Sequence, residues 1–285
     1  MRAECPDGRT RLRALLGDYP VTRALKNGEV TSPRVALDFA DVKPPHSAFK
    51  RVVRQLEFDV AELALVTFLL AKAYGKPLVL LPAVITARFQ HPLIVYDAGR
   101  GALAPGDLAG CRVGLRSYSV TTATWIRGIL TDDHGVDLER VKWVTFEEPH
   151  VAEFRDPPNV ERAPAGRDMA GMLLAGELDA AIVGEAPQDV RLKPLIPDPA
   201  AAAQAWRRRT GAIQINHMVV VKESVPPRAT QAIYSMLAES RKAAGSPDMN
   251  PFGLEENRRN LEVAIDCVYR QKLIPKRFAV EELLR

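Results

Sequence analysis

The stretch Cys111–Val136, CRVGLRSYSVTTATWIRGILTDDHGV, constrains the fold more than any other part of the chain. Arg112–Leu115 reads as a short buried strand, and Ser117, Tyr118 and Ser119 as a loop. A helix of about three turns follows, with a charged last turn closed by Gly135. A strand running straight into a helix is a βα unit, and such units build sheets covered by helices. Ser119 is the expected N-cap, because its hydroxyl can accept from an otherwise unpaired amide. Thr121 and Thr122 then fall in the first turn, where free amides and the helix dipole favour an anion. Trp125 lies one turn beyond Thr121 on the same face. The local pattern fits an ordinary βα unit best, and also fits a carboxylate or phosphate pocket.

The rest of the chain repeats this theme. A first strand is expected around Leu12–Leu16, followed by a loop with Asp18, Tyr19 and Arg23, and strand-end loops are where α/β folds keep their ligands. RVALDF at 34–39 reads as a second strand and His46–Arg54 as an amphipathic helix. Phe58 and Val60 suggest a short strand, with Glu62 opening a helix. KPLVLLPAV, at 76–84, is an apolar strand. Arg88 and His91 stand three apart after it, a pair suited to a carboxylate, with His91 opening the next strand, HPLIVY. DAGRGALAPGDLAG crosses into a second unit. VKWVTF and LDAAIVG are its further strands, and Glu185–Gln188 lies at the carboxyl end of the latter. AIQINHMVVVKESV is a return strand carrying His217, followed by amphipathic helices over 228–243 and in the C-terminal segment.

This order predicts two α/β lobes joined by two crossover strands, with a ligand cleft between them, the plan of a type 2 periplasmic binding protein. Residues 1–97 and 210–285 form the first lobe and 98–209 the second. With 285 residues the chain is long enough for both. The net charge of +4 is spread out, and the short runs WRRR and NRR lack interleaved aromatics, so no nucleic acid is expected. AELALVTFLLAKAYG contains Glu62 and Lys72 and is too short to span a bilayer, so no membrane is expected either. The N-terminus shows no export signal, which favours a cytoplasmic location. Cys5, Cys111 and Cys267 are far apart, excluding a disulfide framework and a zinc-ligand pattern.

The segments DYPVTRAL, EFDVAELAL, VITARFQH, VGLRSYSVTTATWIRGIL, RRTGAIQINHMVVV and PFGLEENRRNLEVAIDCVYRQKLIP together resemble the 4,5-dihydroxyphthalate decarboxylase family. There are departures. Ala61 stands where the family usually has Ser after EFDV. Arg88–Pro92 replaces RxFRHS. Ile213–His217 replaces FPIMH, with Asn216 for an apolar residue. The resemblance implies a carboxy-lyase acting on a hydroxylated aromatic acid, 4,5-dihydroxyphthalate or a related compound; no cofactor is expected, and for a metal-dependent reading, in which His91, His217, Glu62 and Asp59 would meet, no spacing in the sequence makes a demand. The partner is then a small aromatic carboxylate, and a homo-oligomer is allowed.

Such a reaction needs groups that hold a carboxylate and groups that move protons. Arg88, Arg127, Thr121 and Thr122 are candidates for the first role, although the helical position of Arg127 also permits a solvent-facing side chain. Asp18, Arg23 and Ser119 join them as pocket residues. His217 and His91 titrate near neutrality and are candidates for the second role, with Glu62 orienting one of them. Tyr19 and Trp125 are candidates to cover the ring. The alternative is a non-catalytic sensor or solute-binding protein for a small carboxylate, which the fold itself does not exclude.

Overall fold

The computed structural model describes residues 8–185 and 188–285. Cys5, and Ala186 and Pro187 within the 185–188 strand end, lie outside the described residues. In chain order the elements are β1 (Thr10–Leu15), α1 (Pro20–Lys26), β2 (Val35–Phe39), α2 (Phe49–Gln55), β3 (Val60–Ala64), α3 (Leu65–Ala73), β4 (Leu78–Ala87) and β5 (Ile94–Asp97). Then come β6 (Arg112–Leu115), α4 (Thr121–His134), β7 (Lys142–Thr145), β8 (Val160–Arg162), α5 (Met169–Leu174), β9 (Ala180–Ile182), β10 (Leu192–Pro194) and α6 (Pro199–Thr210). β11 (Ile215–Lys222), α7 (Pro227–Ala243) and α8 (Leu254–Arg270) complete the order.

The chain divides into two compact units. The first comprises Met1–Arg88, Ile215–Asp266 and Ile274–Arg285, and the second Phe89–Gln214 and Cys267–Leu273. The sheet of the first unit has the order β2-β1-β3-β11-β4, with β11 antiparallel to both neighbours. Its core joins Leu12 and Ala14 of β1, Val60 of β3, Ala83 and Ile85 of β4 and Val219 of β11 to Ile233, Met236 and Leu237 of α7. The sheet of the second unit runs β10-β5-β9-β6-β7-β8, and its core is built on Val95, Val144, Ala181, Met172 and Leu173. Among the described residues no helix is long and apolar enough to cross a membrane.

The local expectations need four corrections. Glu62 does not open a helix. It sits in the middle of β3, VAELA, every residue of which is buried between β1 and β11, so the strand shows no alternation to read. His91 does not open a strand but starts a short 3-10 turn, His91–Leu93, ahead of β5. Ser119 is not the cap of α4. The chain enters the helix at Val120 with no side-chain cap, and the Thr124 amide donates to the Val120 carbonyl. Edge strands β8 and β10, of three residues each, fall where the sequence announces no strand, β8 within FRDPPNVERAPAGRD, which reads as a loop. The C-terminal stop of α4 is as expected: Gly135 takes the left-handed conformation at φ 65° that glycine adopts without strain.

Candidate active site

The first unit concentrates its chemistry around one buried carboxylate. Pairing of β3 with β11 sets Glu62 opposite Val219 and Ala64 opposite His217, so His217 is a diagonal neighbour of Glu62 on one face of the sheet. Glu62 has no exposed surface, and the His217 side chain is 19% exposed. His217 Nδ1 lies 3.1 Å from Glu62 Oε1. The Tyr19 hydroxyl donates to the same oxygen at 3.0 Å, and the Gly17 amide donates to Oε2 at 2.5 Å. A carboxylate deprived of water needs such donors to stay ionised. Phe49, the first residue of α2, presents its ring to that of His217 at a centroid separation of 5.0 Å and an angle of 79°. One ring nitrogen is held by the carboxylate, one flank is covered by Phe49, and the side chain remains partly open.

The β1–α1 loop is fixed by Thr22. Its hydroxyl donates to the Gly17 carbonyl at 2.7 Å and accepts from the Tyr19 amide at 3.0 Å. Burial, the Glu62 charge and the hydrogen bond to Glu62 all raise the pKa of the Tyr19 phenol well above its ordinary value, so it is a proton donor to Glu62 at any physiological pH. Asp18 and Arg23, in the same loop and helix, are exposed and form an ion pair with each other at 3.6 Å. Arg88, just past the end of β4, is exposed.

The second unit holds the remaining candidates. Ser119, Thr121 and Trp125 are buried at the start of α4, while Thr122 is half-buried. The Ser117 hydroxyl, in the loop before them, is buried and has no hydrogen-bond partner among the described residues. Arg127 is wholly buried, which removes the solvent-facing alternative. Its guanidinium donates to the Tyr118 carbonyl at 2.8 Å and to Gln271 Oε1 at 2.9 Å. His91 is wholly buried against Phe89 and Trp206, whose ring centroids stand 6.4 Å and 6.5 Å away. Neither of its ring nitrogens has a partner among the described residues. Burial, reinforced by the charges of His134 and Arg209, pushes its pKa down to about 4. Trp206 also meets Trp125 edge-on, with ring centroids 5.9 Å apart. Among the described residues no group of three or more His, Cys, Asp or Glu side chains is placed to hold a metal ion.

No protein-family model matches the chain. A 4,5-dihydroxyphthalate decarboxylase of Comamonas testosteroni is 30% identical over 228 residues, covering 75% of this chain and 69% of that protein. Another, from Pseudomonas putida, is 33% identical over 210 residues, covering 69% of this chain and 81% of the relative. The chain belongs to the 4,5-dihydroxyphthalate decarboxylase family. That membership makes it a carboxy-lyase. The fold is that of the periplasmic binding proteins. The aliphatic sulphonate binding protein SsuA of Escherichia coli matches with a TM-score of 0.55 at 14% identity, over 96% of this chain and 97% of that one. The alkanesulfonate-binding protein SsuA of Xanthomonas axonopodis pv. citri matches with a TM-score of 0.54, also at 14% identity, over 96% and 97% of the two chains. Sequence reasoning missed Gly17 and the role of Phe49. Gly17 is defined by the Glu62 oxygen its amide meets and Phe49 by the His217 ring it faces, and neither has a local pattern that announces it.

Proposed function

We propose that this protein decarboxylates a hydroxylated aromatic carboxylic acid, 4,5-dihydroxyphthalate or a related compound, and that His217 moves the protons. The supporting observation is the pairing of a partly open imidazole with a buried carboxylate, His217 Nδ1 to Glu62 Oε1 at 3.1 Å. A carboxylate accepts only, so Nδ1 carries the proton and Nε2 is the atom left to exchange protons with a substrate.

The chemistry needs no change of oxidation state. A phenol ortho or para to the departing carboxylate loses its proton, and the phenolate pushes electron density to the ring carbon that bears the carboxylate. That carbon takes a proton. The carbon–carbon bond then breaks, its electron pair returns to the ring, carbon dioxide leaves and the phenol is reprotonated. The net change is one proton consumed from water and one carboxylate released as carbon dioxide. A general acid–base group positioned at the substrate contributes about 100- to 10,000-fold to such a step. Arg88, a cation at the end of a strand of the same unit, is proposed as a carboxylate-binding group.

The test is incubation with hydroxylated benzoates and phthalates, with and without a chelator, following carbon dioxide and aromatic product together. Release of carbon dioxide in step with product, unaffected by chelator, is the expected result. Tight binding of these acids without any release would overturn the enzymatic reading in favour of a sensor or solute-binding role.

A further inference from the structure

Glu62 presents no surface to a substrate. Both oxygens are engaged, one by the Gly17 amide and the other by the Tyr19 hydroxyl and His217 together, and the side chain is wholly buried. It therefore acts through His217. The hydroxyl of Tyr19 competes with His217 Nδ1 for the same oxygen, 3.0 Å and 3.1 Å away respectively. We propose that Tyr19 is a positioning residue for His217: by sharing Glu62 Oε1 it sets how strongly the carboxylate holds the imidazole proton, and hence the pH at which His217 works. This rests on the reading of His217 as the proton-transfer group.

A second observation supports the arrangement. A Cβ placed on Gly17 would stand 2.4 Å from Tyr19 Cε2 and 2.8 Å from the Tyr19 hydroxyl oxygen. The phenol reaches Glu62 by folding back over the bare backbone of residue 17, and Gly17 in turn donates its amide to the other Glu62 oxygen. Glycine here gives close approach of a side chain rather than an unusual backbone angle. Among the described residues the ion pair found for His217 is the one with Glu62, and the charged groups on the elements around it have these partners. Just before β3, Asp59 is tied to Lys222 at 3.1 Å and accepts from the Arg13 amide. On α2, Phe49 faces the imidazole, while Arg51 is paired with Glu57. On β4 the residue opposite is the uncharged Thr86. On the β1–α1 loop, Asp18 and Arg23 pair with each other.

The sign follows from charge. Taking a donor away from an ionised carboxylate makes it attract the imidazolium more strongly, so the His217 midpoint rises. Removing the carboxylate charge lowers it. The measurement is an NMR pH titration of the imidazole resonances, with His217 assigned among the five histidines by its loss in His217→Asn. Tyr19→Phe is expected to raise the midpoint by roughly 0.5 to 1 pH unit, and Glu62→Gln to lower it by at least as much. Gly17→Ala, which displaces the phenol without deleting it, is expected to move the midpoint in the same direction as Tyr19→Phe, and serves as the second variant should Tyr19→Phe not fold. The pH profile of kcat should follow the NMR midpoint while KM stays within about twofold. A fixed midpoint in a natively melting Tyr19→Phe overturns the proposal, as does a raised KM with the midpoint unmoved, which would make Tyr19 a substrate contact. The titration needs no turnover, so it decides this relay even if every tested acid proves not to be a substrate.

Discussion

The guanidinium of Arg127 lies 3.8 Å from the centre of the Tyr118 ring and donates to the carbonyl of that same residue. One side chain thus clamps both the backbone and the ring of the loop before α4, and its Nε ties the loop to Gln271 beyond α8. Arg127→Met should keep the volume and lose the bonds, leaving buried acceptors unpaired. Denaturant unfolding is expected to show a loss on the order of 3 kcal/mol. An unchanged midpoint would mean that the clamp contributes nothing.

His217→Asn should lower kcat by roughly 100-fold or more while ligand affinity changes little, since the group acts in proton transfer rather than holding the acid. Thermal melting, affinity and turnover measured on one preparation check this. If melting and affinity fall together instead, His217 serves only to tie β11 to β3.

Arg88→Ala should weaken binding of aromatic acids by about 2 kcal/mol, close to 30-fold, with the fold intact, because a charged hydrogen bond to a carboxylate is lost. Calorimetric titration with a hydroxylated benzoate reads this directly. Undiminished affinity would make Arg88 an ordinary surface cation.

Folding stability should fall on mild acidification through His91. In the folded chain its pKa is pushed from 6.5 down to about 4. Above pH 6.5 the ring is neutral in both states and adds no pH dependence. Below it the unfolded chain takes the proton first, so stability drops by about 1.4 kcal/mol per pH unit, to a total on the order of 3 kcal/mol near pH 4. Unfolding at pH 7 and pH 5 for the parent and for His91→Leu tests this. The parent should lose more stability than the variant, and equal losses would remove His91 as the cause.

What the sequence disclosed follows physical periodicity. The start of α7 and the glycine stop of α4 are written in residues next to one another, as is the βα unit of β6 and α4. β3 was hidden because a strand buried on both faces does not alternate, and a lone Glu in it imitates the acidic first turn of a helix. The short edges β8 and β10 offer too few residues for any period. At the site, His217, Glu62 and Tyr19 were each recognisable as chemistry, but their convergence on one oxygen depends on β3–β11 pairing and on a loop folding back over Gly17. Likewise Arg127 was visible as a cation on α4, whereas its partner Gln271 stands 144 residues away.

The carboxylate in the middle of β3 also bears on the order in which this sheet assembles. Its donors come from chain positions 45, 43 and 155 residues distant. Enclosing a bare carboxylate in an apolar sheet costs several kcal/mol, so β3 gains little by burial until those distant segments arrive. The local helices α2 and α3 are free of that requirement. The β1–β3–β11 seam must close non-local loops before its contacts are rewarded, which places its completion among the slow, late events of folding.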